Sequence, residues 1–149
     1  MATLFIQLAF AIAAGIATSF QPGINRAFAD VAGDRLWGGV INFGVGFLTM
    51  LSIVTALRPP IAQASKFAAA PWWIWTGGML GAFFVTTAIF LIRPLGAANY
   101  VAAMIAGQFL GSMVIDHFGL LGVVQHSFTP GRFAGLVFIV VGMVFLRYF

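Results

Sequence analysis

Few side chains in this sequence could perform covalent or acid–base chemistry. Its acids and histidines are Asp30, Asp34, Asp116, His117 and His126, and it has no cysteine, which excludes thiol chemistry and disulfides. No His, Asp or Glu grouping has metal-ligand spacing, no glycine-rich loop has the form of a phosphate cradle, and no serine stands in a nucleophile motif. Neither a metal, a cofactor nor an enzymatic activity is expected. The side chains that remain are amides set in apolar surroundings: Gln7, Gln21, Asn25, Asn42, Asn99 and Gln108. A buried amide costs a few kcal/mol unless it is paired, so each must face protein, water or a bound molecule.

Those surroundings are lipid-compatible. Of 149 residues, 62% are hydrophobic and 7% charged, against about 25% charged in soluble domains. This composition specifies an all-α integral membrane protein. The net charge of +4 does not point to nucleic acid, because the seven Lys and Arg residues stand singly between apolar runs. They read as anchors among membrane lipids at the two interfaces. The first basic residue is Arg26, so the first apolar run lacks the charged start of a cleaved signal and is expected to stay as a spanning helix.

A bilayer needs about 20 apolar residues per helix, and five segments supply them: 3–21, 36–57, 72–92, 95–116 and 132–149. Together they make one transmembrane domain over 1–149. Between them lie "QPGINRAFADVAGDR", "RPPIAQASKFAAAP", the minimal turn "RPLG" and "HFGLLGVVQHSFTPGR". The third and fourth spans form a tight hairpin, with Pro94 disfavouring helix at Arg93. "LLGVV" is too short to span and reads as an interfacial or partly helical excursion, and "PWWIW" sets three tryptophans where the third span enters, as an aromatic belt does.

At about 100° per residue, Thr3, Gln7, Thr18, Gln21 and Asn25 share one face of the first span. That stripe lines a hydrated cavity between subunits or bonds neighbouring helices. Pro22 lacks an N–H and frees the Thr18 carbonyl, so "QPGIN" is either the end of the helix or a break that lines a site. Asn42 shares a face of the second span with Gly38, Gly39, Gly46 and Thr49. Small residues recur at Gly77 and Gly81, at Gly107 and Gly111, and at Gly135 and Gly142, spaced to let helix backbones approach closely. Gln108 falls near the bilayer midplane on the side opposite Asn99; it is a substrate-lining residue or makes one interhelical hydrogen bond. Asp116 with His117 is the remaining titratable pair, at the end of a span rather than inside one, and His126 is a loop residue with no partner evident in the sequence.

Five spans put the two chain ends on opposite sides. Arg58, Lys66 and Arg132 then lie on one side and Arg26, Arg35, Arg93 and Arg147 on the other, three against four. Orientation depends on a bias in these residues, and here it is almost nil. Either the chain inserts both ways and pairs as an antiparallel homodimer, an inverted-repeat transporter arrangement, or other signals fix a single orientation.

"QPGIN", "PWWIWTGGMLGA", "RPLGAA", the mid-span "GQ" and "DHFGLLG", in this order along nearly the whole chain, resemble the five-helix inner-membrane exporter family of bacteria, within the drug/metabolite transporter superfamily. The resemblance implies a multi-pass protein of the bacterial inner membrane and a dual-topology homodimer. The first and the last three spans are also similar to those of small multidrug resistance exporters, with "RPLGAANY" similar to their third-helix entry. Those exporters use a glutamate in the first helix, whereas "AIAAGIATSF" offers Gly15 and no acid. The expectation is therefore transport of a neutral or amphipathic small molecule by alternating access, with Gln108, Gln21, Asn25, Gln7 and Asn42 lining a polar cavity. Competing with it are a passive channel or facilitator and a non-transporting accessory subunit.

Overall fold

The computed structural model describes residues 2–61 and 64–148, and among these it contains helices and no strand. Five helices are long and apolar enough to cross a bilayer. They are α1 (Ala2–Ala32), α2 (Arg35–Leu57), α4 (Thr76–Leu95), α5 (Ala97–Phe118) and α6 (Pro130–Tyr148), with a short α3 (Ala64–Ala68) between α2 and α4.

The first span differs from its expected end at residue 21. α1 runs unbroken through Pro22 to Ala32, 31 residues in all, or about 46 Å of helix against a hydrocarbon core of about 30 Å. Proline removes only the one N–H that would have met Thr18, and packed neighbours tolerate that loss in membrane helices. Beyond Pro22, an ion pair one turn apart, Arg26 to Asp30 at 2.9 Å, supports the extension. The helix stops where Gly33 takes a φ of 79°. Asp34 then caps α2, its carboxylate accepting from the Leu36 N–H at 2.8 Å.

α2 ends at Arg58, whose N–H returns to the Val54 carbonyl at 2.8 Å, because Pro59 and Pro60 cannot continue the helix. "PWWIW" enters as a 3-10 turn, Trp72–Trp75, leading into α4. α4 carries Pro94 inside its last turn and continues to Leu95, so helix persists past Arg93, contrary to the expectation from Pro94. A single residue, Gly96 at φ 77°, separates α4 from α5.

The chain divides into two units, one through Ile92 and one from Arg93 onward. In the first, Ala29 of α1 and Val85 and Ile89 of α4 form the core, with Phe84 packed on it. Gly38 is where α1 and α2 come closest. A Cβ there would stand 2.6 Å from the Asn25 carbonyl oxygen and 2.9 Å from the Ala29 Cβ. Residues 3–18 of α1 are exposed throughout, an apolar surface suited to lipid or to another chain.

In the second unit α5 and α6 pack as a hairpin. Tyr100, Ala106 and Met113 of α5 and Leu136 of α6 are buried. "LLGVV" begins with a 3-10 turn, Leu120–Gly122, and continues as extended chain, as its partly helical reading anticipated.

Candidate functional site

The polar stripe of α1 meets α2 on either side of Pro22. Gln21 Nε2 donates to Asn42 Oδ1 at 3.0 Å, joining two of the expected site residues across the helix pair. One turn further along α1, Asn25 is 2% exposed, and its Nδ2 has no acceptor among the described residues. Glycine at position 38 lets the backbones of α1 and α2 close over this point. The result is a partly buried amide layer with one enclosed donor to spare, and a buried donor without a partner costs about 1–3 kcal/mol. Thr18, on the same stripe, uses its hydroxyl locally, bonding the Ala14 and Gly15 carbonyls at 3.0 Å.

Gln7 is not part of this layer. It is exposed on the first half of α1, about 21 Å along the helix from Gln21.

Gln108 stands apart as well. Some 16 Å of helix separate it from Ala97, which puts it at the middle of the 22-residue α5. It is exposed, with no hydrogen bond to any described residue. Asn99 donates to the Leu95 carbonyl at 3.0 Å, while its Oδ1 is buried without a donor.

The glycines divide in the same way. A Cβ on Gly81 would touch the Phe43 ring at 3.6 Å, whereas one on Gly77, Gly107, Gly111, Gly135 or Gly142 would meet nothing within 4 Å of the same chain.

Asp116, His117, His126 and Arg132 gather around the loop between α5 and α6. Arg132 reaches Asp116 at 3.1 Å and the His126 carbonyl at 3.4 Å, and the His126 N–H donates to the Asp116 carbonyl at 2.8 Å. Gln125 donates to the His117 carbonyl at 2.8 Å, and His117 Nδ1 accepts from the Phe128 N–H at 3.2 Å. His117 closes the loop through its ring and its carbonyl, and His126 through its backbone alone. No group of three or more potential metal ligands occurs among the described residues.

A polar layer in a long apolar helix, an amide at mid-span and a stapled last loop are features of a multi-pass protein. The family model described as "Putative inner membrane exporter, YdcZ" matches residues 6–145. The chain belongs to that family. Similar to it is "Inner membrane protein YdcZ" of Escherichia coli (strain K12), 29% identical over 137 residues, which cover 92% of this chain and 91% of that protein. No solved structure matches the chain. Membership agrees with the five spanning helices and sets the protein in the inner membrane as a multi-pass chain.

The sequence left two things unread. The partnering of Asp116 with Arg132 bridges 16 positions and follows from the loop fold, and the bond from Gln21 to Asn42 follows from the register of α1 against α2.

Proposed function

We propose that the protein is a small-molecule carrier of the exporter type, working by alternating access as an antiparallel homodimer whose facing helices enclose a cavity lined by neutral amides. The observation that carries this reading is Gln108, an exposed amide with no hydrogen bond among the described residues, at the middle of an apolar span. Lipid cannot bond an amide there, so a second subunit, cavity water or a transported solute must. The glycines with open space above them give α5 and α6 surfaces on which another helix can close. Gln21, Asn42 and Asn25 form the second polar layer; the spare Asn25 donor, enclosed between α1 and α2 in this conformation, meets an acceptor on the solute as the helices part during alternating access.

The acids lie near helix ends: Asp30 in the last turn of α1, Asp34 at the cap of α2 and Asp116 in the last turn of α5. A neutral or amphipathic solute suits such a pathway better than a cation exchanged for protons. The same absence of a mid-span acid favours passive facilitation as the second reading. Reconstituted vesicles separate the two. Saturable counterflow across a solute panel supports a carrier, ohmic current a channel, and neither response an accessory subunit. Gln108→Leu abolishes flux while the protein stays folded; unchanged flux in that variant refutes the cavity role.

A further inference from the structure

At the open end of the α5–α6 hairpin lies a recess of about 270 Å³, lined by Leu95, Asn99, Ala103, Met143, Val144, Arg147 and Tyr148. We propose that it binds the headgroup of an anionic phospholipid, a phosphodiester with a hydroxyl-bearing head such as phosphatidylglycerol.

The location is the first reason. Asn99 is in the first turn of α5 and Arg147 in the last turn of α6, so the recess sits at the ends of two spans, at headgroup level.

The second reason is charge. Arg147 has no ion pair or hydrogen bond among the described residues, and none of the described residues that line the recess is an acid. The guanidinium suits a phosphate with two parallel hydrogen bonds. The first turn of α5 follows Gly96, which has no side chain to cap it, and adds the positive pole of that helix.

The third reason is the remaining polar group. Asn99 lines the recess, and its Oδ1, enclosed and without a donor among the described residues, gains one from a glycerol hydroxyl of the head when the side chain rotates toward the recess. A choline head offers no hydroxyl and brings a cation beside Arg147, where no described residue of the lining carries a carboxylate. Leu95, Ala103, Met143 and Val144 form the apolar wall on which the start of the acyl chains rests.

The test is the unfolding midpoint of the full chain in nonionic detergent. It is titrated with phosphatidylglycerol, with phosphatidylcholine of the same acyl chains, or with inorganic phosphate. The comparison covers the unaltered protein, Arg147→Gln, and Val144→Trp, which fills the recess without changing charge. Phosphatidylglycerol raises the midpoint of the unaltered protein, and its apparent affinity falls about tenfold or more in both variants, as loss of a charge-assisted contact requires. The midpoints without lipid report that each variant is folded, so one folded variant suffices for the comparison. An equal response of the variants to phosphatidylglycerol overturns the site. An equal response to phosphatidylcholine overturns the headgroup assignment, and an equal response to inorganic phosphate alone reduces it to a soluble-anion site.

Discussion

Asn25 and Gln21 lie one turn apart on α1, yet their substitutions should behave oppositely. Asn25→Ala removes a donor that is already unpaired, so stability should stay within about 1 kcal/mol of the unaltered protein while transport is lost. Gln21→Leu strands Asn42 Oδ1 and should cost about 1 kcal/mol, in line with the modest worth of hydrogen bonds between membrane helices. Unfolding in detergent and flux in vesicles measure both quantities. A large loss of stability in Asn25→Ala would assign that amide to packing instead. The amides were legible from the sequence because a polar group in an apolar run stands out. Their partners were not, because pairing depends on the register between two helices. Asn99 shows the same limit. Its neighbours Arg147 and Tyr148 come from the far end of the chain, and only the α5–α6 hairpin brings them together.

Among the elements, α1 departs most from its sequence reading. Span length alone argued for an end at "QPGIN", but one missing N–H does not outweigh the packing of Ala29 on Val85 and Ile89 and of Asn25 against Gly38. The five spans themselves were legible, since about 20 apolar residues have no other stable arrangement in a membrane. Two glycine substitutions separate contacts within the chain from contacts between chains. Gly38→Val drives a side chain into the Asn25 carbonyl and should destabilise the protein by about 3 kcal/mol, measured by denaturant titration in micelles. Gly111→Val meets open space and should leave that titration unchanged, yet weaken self-association measured by cross-linking in membranes. Equal self-association in Gly111→Val removes α5 from the proposed subunit contact.

At the scale of the whole molecule, five crossings would set three basic residues on one side and four on the other, and Gln108 is exposed at mid-span. Both follow if two copies insert in opposite senses and meet along α5. The absence of native cysteine makes this directly measurable. Ser65, exposed in the connection between α2 and α4, is replaced by cysteine and labelled with a membrane-impermeant maleimide, before and after permeabilisation. About half of the thiol should react from outside and the rest only after permeabilisation, as an unbiased chain requires. Labelling confined to one side would contradict the antiparallel pair.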